Sequence, residues 1–80
     1  MITLTRKDFV FDESGELIIY INKIKFLLDY TSIKEKSITK AKLIKIKLKT
    51  NFRYNNYSKI VLIDNSLLTD LLRESQIRKK

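Results

Sequence analysis

The residues most able to do chemistry in this chain are cations concentrated in its middle third. Residues 34–59 hold nine Lys or Arg side chains and one Glu, so this third carries a net charge of +8, as large as that of the whole chain. Such a concentrated positive field attracts polyanions, either nucleic acid or an anionic membrane surface. The alternative is that lysine only keeps a strand face hydrated and protects an exposed strand edge from aggregation. Both interpretations stay open.

Aromatic and amide side chains follow the lysines in residues 51–57. Phe52, Tyr54 and Tyr57 are interspersed there with Arg53 and three asparagines. Single-stranded nucleic acids are bound by this mixture, since bases stack on aromatic rings while cations follow the backbone. The alternative is that the tyrosines complete a small core at the end of a hairpin. The candidate nucleic-acid-binding residues are Lys40, Lys42, Lys45, Lys47, Lys49, Arg53, Tyr54, Tyr57 and Lys59.

Residue types exclude most catalytic and metal-binding chemistry. The chain has no His and no Cys, which removes the commonest general base and the commonest metal ligands. No Gly-x-Ser-x-Gly segment occurs, and the single glycine cannot form a phosphate-binding loop. Asp12, Glu13 and Glu16 surround a predicted turn, where three acids are typical of a hydrated loop. We therefore expect no enzyme activity, no cofactor and no metal site.

Period-two alternation predicts the strand that positions the lysines. Apolar and basic side chains alternate through most of residues 42–49, so they point to opposite faces of a strand. Residues 57–63, rich in β-branched and aromatic side chains, predict its partner. One face then holds Ile44, Ile46, Leu48, Phe52, Tyr54, Tyr57, Val61 and Ile63. The other face holds Lys45, Lys47, Lys49 and Arg53 together with Ile60 and Leu62.

The register of this hairpin depends on its turn. Asparagine tolerates positive φ, so Asn55 and Asn56 are suited to a two-residue turn. Leu48 then faces Ile63. Because Asn-Asn is a weaker turn signal than Asn-Gly, a longer loop is the alternative.

A first hairpin is predicted near the N-terminus. Phe9 to Phe11 and Glu16 to Ile21 have strand-like composition, and they flank a turn-forming segment, Asp12 to Gly15. Gly15 suits that turn because glycine adopts positive φ without steric cost. Residues 2–5 either extend the sheet or fray.

Residues 17–28 are consistent with two structures. Leu17, Ile21, Ile24 and Leu28 have the spacing of a helical stripe. Alternatively, two strands enclose a turn at Asn22 and Lys23. β-branched enrichment favours the strands, which pair Ile21 with Ile24, Ile19 with Phe26 and Leu17 with Leu28.

Helical signals occur later in the chain. Ser32 and Glu35 have the spacing of a capping box, so either a short helix begins at Ile33 or residues 34–40 are a basic linker. A C-terminal helix is predicted more clearly, with Asn65 or Ser66 as its cap. Its apolar stripe packs on the sheet or against a helix of a second copy, and consists of Leu67, Leu68, Leu71 and Leu72.

These elements predict a single domain over residues 1–80 with an α+β fold, an antiparallel meander of about five strands and one C-terminal α-helix. No signal peptide or membrane-spanning run occurs, so we expect an intracellular, cytoplasmic protein and no membrane partner. The abundance of Lys and Ile, with one Gly and no Pro, indicates an AT-rich genome such as that of a phage, plasmid or virus.

The sequence therefore predicts a small basic nucleic-acid-binding accessory protein of low sequence specificity, with DNA or RNA as its partner. One alternative is an interaction protein that binds and modulates a host protein through Ile60 and Leu62 or an open sheet edge. The other is a homodimer in which the lysine-bearing face of the predicted hairpin serves only solubility.

Overall fold

The computed structural model describes residues 1–32, 42–50 and 58–79. Within these ranges, five strands form one antiparallel sheet in chain order, and a single α-helix follows. Short 3-10 turns lie at Arg6–Asp8 and Tyr30–Ser32. The α+β meander expected from the sequence is confirmed. The elements are β1 (Phe9–Phe11), β2 (Leu17–Ile21), β3 (Ile24–Leu28), β4 (Leu43–Lys49), β5 (Ser58–Asp64) and α1 (Asn65–Arg78).

The turn between β1 and β2 is organised by one carboxylate. Asp12 Oδ1 accepts hydrogen bonds from the Ser14 amide at 2.9 Å, the Ser14 hydroxyl at 2.7 Å and the Glu16 amide at 2.9 Å. Gly15 has φ +86°, a conformation that costs glycine little. The predicted first hairpin is confirmed, including its turn.

The connection between β2 and β3 settles the ambiguity of residues 17–28. Asn22 and Lys23 have φ values of 51° and 68°, as a two-residue primed turn requires at both positions. Ile21 pairs with Ile24, and Ile19 pairs with Phe26. The two-strand prediction is confirmed, and the helical alternative is wrong.

The described residues of the β4 and β5 hairpin have the predicted faces but not the predicted register. Ile44, Ile46 and Leu48 are buried, and the intervening lysines are exposed. Leu48 pairs with Lys59 rather than with Ile63, so the predicted pairing is wrong by four residues. Alternation fixes only which face a side chain occupies, and a slip by an even number of residues leaves every face unchanged.

Among the described residues, the last ladder pair of this hairpin is Lys49 with Ser58. The turn predicted at Asn55 and Asn56 lies outside the described residues. So does the helix or linker predicted after Ser32.

The N-terminal segment covers part of the free edge of β5. Leu4 donates its amide to the Leu62 carbonyl at 2.8 Å, and the Leu62 amide donates to the Ile2 carbonyl at 2.9 Å. Thr3 and Leu62 form a parallel bridge. The segment therefore extends the sheet, which is one of the two outcomes that the sequence allows.

This pairing requires a curled sheet. Residue 4 lies beside β5, and Phe9 already begins β1 at the opposite edge. Five extended residues reach at most about 18 Å, whereas five strand spacings of a flat sheet amount to about 24 Å. The sheet must therefore curl so that its two edges approach each other.

The core lies between the inner face of this sheet and α1. Leu68 and Leu71 are each 2% exposed and belong to the main apolar cluster, against which Leu67 and Leu72 pack partly buried. The predicted packing of the leucine stripe on the sheet is confirmed. The cap prediction is wrong, because the Asp64 carboxylate accepts from the Ser66 and Leu67 amides at 2.9 and 3.2 Å. Strand β5 runs straight into α1, so its last residue occupies the cap position.

The C-terminal end of α1 packs against the first hairpin and is hydrogen-bonded to it. The buried Ser75 hydroxyl donates to the Gly15 carbonyl at 2.7 Å. A Cβ atom added to Gly15 would lie 2.9 Å from the Arg78 carbonyl carbon, so only glycine permits this close approach. Glu74 forms ion pairs with Arg6 at 3.7 Å and with Arg78 at 3.0 Å.

Candidate nucleic-acid interface

Three lysines of β4 lie on the outer side of the sheet, away from the core. Lys45, Lys47 and Lys49 are exposed, and the residues between them are buried. We call these three side chains the lysine face. Alternate residues of a strand are about 6.7 Å apart. The Cα atoms of the three lysines therefore form an evenly spaced row along β4.

Apolar residues of the neighbouring strands flank the lysine face. On one side, Lys49 pairs with Leu27 of β3. On the other side, Lys47 pairs with Ile60 of β5, which is 51% exposed, and Lys45 pairs with the half-buried Leu62. The sequence predicts Ile60 and Leu62 on the lysine side, and the register of β4 and β5 confirms this.

One described carboxylate adjoins the lysine face. The Asp29 amide donates to the Lys47 carbonyl at 2.9 Å. The pKa of Asp29 lies below its usual value, first because the Thr31 hydroxyl donates to it at 2.6 Å, and further because of the Thr31 amide and the charges of Lys49 and Lys47. Asp29 therefore stays ionised and offsets part of the positive field at one end of the row.

The ion pairs found in the part of the chain that the structure describes join Arg6 and Arg78 to Glu74 and Lys79 to Glu16. Neither Lys45 nor Lys49 takes part in one. Because Asp29 offsets part of the charge of Lys49, Lys45 is the one of these two whose charge is more available to an external anion.

The other predicted site residues are distributed differently. Lys42 is exposed immediately before β4, and its carbonyl accepts from the Asn65 amide at 2.7 Å. Lys59 pairs with Leu48, which places it on the inner side of β5 and half-buried, apart from the lysine face. Lys40, Arg53, Tyr54 and Tyr57 lie outside the described residues, and their role in binding stays a prediction.

Two residues of the outer surface were not among the sequence candidates. Tyr20 is 45% exposed and pairs with Lys25, which is also exposed. The signal for Tyr20 was present in the sequence, because a strand that turns Ile19 and Ile21 inward must turn Tyr20 outward. Lys25 follows from the same alternation around Phe26. Both therefore extend the outer surface from β4 towards β2.

No group of three or more acidic side chains within the described ranges is arranged to hold a metal ion. Nor does any helix in those ranges have the length and apolar character needed to cross a membrane.

The chain matches no family model, no curated protein and no solved structure.

Proposed function

We propose that this protein binds nucleic acid by placing the lysine face against the phosphate backbone. The observation that carries the proposal is the row of Lys45, Lys47 and Lys49, all exposed on the side of the sheet that α1 does not cover. The surface is rigid, because the same strand buries Ile44, Ile46 and Leu48 in the core.

The type of cation indicates how sequence-specific the contact is. Lysine presents a flexible point charge, whereas arginine presents a planar fork that recognises guanine edges. Contacts to phosphate position a protein on nucleic acid without reading its bases. A surface of lysines therefore favours binding of low sequence specificity, to DNA or RNA. An accessory role in a phage, plasmid or viral genome is part of the proposal, and the lysine-rich and isoleucine-rich composition supports it.

The test compares two double variants of equal charge change. Lys45→Glu with Lys49→Glu reverses two members of the lysine face. Lys7→Glu with Arg73→Glu reverses two exposed cations elsewhere, for which the structure shows no ion pair among the described residues. Fluorescence anisotropy with a labelled oligonucleotide measures the affinity, and circular dichroism confirms that each variant is folded.

We expect the first pair to lower the affinity at low salt by tenfold or more and the second pair to change it much less. If about five lysines contact duplex phosphates, the logarithm of the binding constant falls with the logarithm of salt at a slope of about −4.5. A slope near zero for the natural sequence, or equal losses in the two double variants, would refute the proposal.

A second candidate function is binding of a host protein. It is favoured by two exposed apolar side chains. Ile60 is 51% exposed beside Lys47, and Leu43, near the opposite end of β4, is 47% exposed. Purification after nuclease treatment tests this candidate. A stoichiometric partner that disappears with Ile60→Ser would support it, and light scattering shows whether that partner is a second copy of this chain. Recovery of the monomer alone would rule out both a host-protein partner and a homodimer.

A further inference from the structure

Tyr20 differs from the other partly exposed aromatic residues that the structure describes. Phe11 is covered by the Arg78 guanidinium, 4.5 Å from the centre of its ring. Tyr30 lies under the Lys79 ammonium at 5.8 Å, and its hydroxyl donates to Glu16 at 3.4 Å. Tyr20 is 45% exposed and has neither a hydrogen bond nor a cation over its ring among the described residues.

The surroundings of Tyr20 are suited to a flat, partly apolar ligand. Lys25 is its partner across the β2 and β3 ladder. Beside this pair runs a row of outward residues, in which the exposed Val10 pairs with the buried Ile18, and Ile18 pairs with the half-buried Leu27. Leu27 in turn pairs with Lys49. The register therefore places the exposed Tyr20 and Lys25 on the same side of the sheet as the lysine face, with the half-buried Leu27 between them.

The distance across this surface is short. Tyr20 and Lys49 are separated by two strand spacings and by two residues along the strands. Those spacings correspond to about 10 Å and about 7 Å, so the two Cα atoms lie about 12 Å apart. One short segment of a nucleic-acid strand can contact both.

We propose that the ligand is a single-stranded nucleic acid, one base of which stacks on Tyr20 while its phosphates lie against Lys25 and the lysine face. This inference rests on the proposed function and specifies its substrate class. In a duplex, each base is stacked between its neighbours, so a ring on the surface of a sheet reaches only backbone and groove edges. A single strand can turn a base outward onto the ring.

The experiment measures affinity for a short single strand and for the same sequence annealed into a duplex. Tyr20→Leu removes the π face and keeps an apolar side chain, whereas Tyr20→Phe is the matched control that keeps the ring. We expect Tyr20→Leu to weaken single-strand binding about five- to tenfold and to leave duplex binding within twofold. Tyr20→Phe should bind the single strand like the natural sequence.

A fluorescence measurement tests the contact directly. The chain has no tryptophan, so Tyr20→Trp introduces a single reporter. Single strand added to this variant should quench the indole emission with the same midpoint as the anisotropy titration. Ile77→Trp, at a 65% exposed position near the end of α1, is the control and should show little quenching.

The outcomes separate the two proposals. If the natural sequence binds neither single strand nor duplex, the proposed function is wrong, and this inference with it. If it binds both, but Tyr20→Leu lowers neither affinity and Tyr20→Trp is not quenched, the inference is wrong and the phosphate-binding surface stands.

Discussion

Two regions of this small protein contain similar cations and use them differently. At the junction of α1 with the first hairpin, Arg6, Arg78 and Lys79 each lie within 4 Å of a carboxylate, at 3.7, 3.0 and 3.3 Å. Arg78 and Lys79 also lie over aromatic rings. On the lysine face, Lys45 and Lys49 have no such partner among the described residues.

The comparison shows that neighbours, more than residue type, decide what a basic side chain does. At the junction, Glu74 pairs with two of the cations and Glu16 with the third. On the lysine face, the partners across the ladder are the uncharged Leu27, Ile60 and Leu62, and Asp29 offsets part of the positive field at one end. Exposed ion pairs contribute little stability. The junction must therefore be stabilised by its buried contacts, the Ser75 hydrogen bond to Gly15 and the close packing of Gly15 against Arg78.

The largest expected change is in stability at the junction of α1 with the first hairpin, and it comes from Gly15→Ala. An alanine at φ +86° costs about 1–2 kcal/mol, and its Cβ would meet the Arg78 backbone at 2.9 Å. We expect the free energy of unfolding to fall by about 2–4 kcal/mol in total, measured by urea denaturation. Glu13→Ala, in the same turn and exposed, is the control. A Gly15→Ala variant as stable as Glu13→Ala would show that the helix end is not held against the hairpin.

A smaller fall in the free energy of unfolding is expected from Ser75→Ala. The substitution leaves the buried Gly15 carbonyl without its donor, which costs about 1–2 kcal/mol of unfolding free energy. Ser66→Ala makes the same chemical change at an exposed position of α1 and should cost much less in the same denaturation experiment. Neither variant should alter nucleic-acid affinity. A change in affinity with Ser75→Ala would mean that the two regions are coupled.

Substitutions on the lysine face should change nucleic-acid binding and leave stability unchanged. Lys45→Gln and Lys49→Gln are each expected to reduce the magnitude of the salt slope by about 1 and to leave the urea midpoint nearly unchanged. Lys7→Gln is the matched single control and should alter neither quantity. Loss of stability in Lys45→Gln or Lys49→Gln, with an unchanged slope, would assign these lysines a structural role.

The smallest expected effect concerns pH. Burial raises the pKa of Tyr30, and the nearby Glu16 carboxylate adds to the shift through its charge and its hydrogen bond. Folding therefore favours the neutral phenol. This contribution to stability is complete below the unfolded pKa of about 10 and is lost as pH rises through the higher folded pKa.

The measurement is the stability difference between the natural sequence and Tyr30→Phe. It should decline above about pH 10. A difference that stays constant through this range would mean that folding does not raise the pKa of Tyr30.

Local patterns predicted much of the fold. The Asp12 to Gly15 turn, the strands on either side of Asn22 and Lys23 and the leucine stripe of α1 each depend on neighbours in the sequence, and all are confirmed. The pairing of Leu48 was not predictable in this way, since alternation is satisfied by several registers. The helix cap was missed because β5 continues into α1 with no loop between them.

For the candidate site, the alternation in residues 42–49 was sufficient to place Lys45, Lys47 and Lys49 on one surface. The same alternation in β5 puts Lys59 on the side of Val61 and Ile63, but it could not show that Lys59 lies opposite Leu48. Nor could it show that Tyr20 and Lys25, distant in sequence, lie on the same outer surface as the lysines, because this requires β2, β3 and β4 to be neighbours.

The sequence by itself determined which side chains share a face, because the direction of a side chain repeats every two residues in a strand whatever the strand pairs with. Only the tertiary structure decided which faces adjoin, through the register of β4 with β5 and through the curl that brings residues 2–4 beside β5. The β4–β5 register and the curl arise from contacts between segments farther apart in the chain, and no local pattern encodes them.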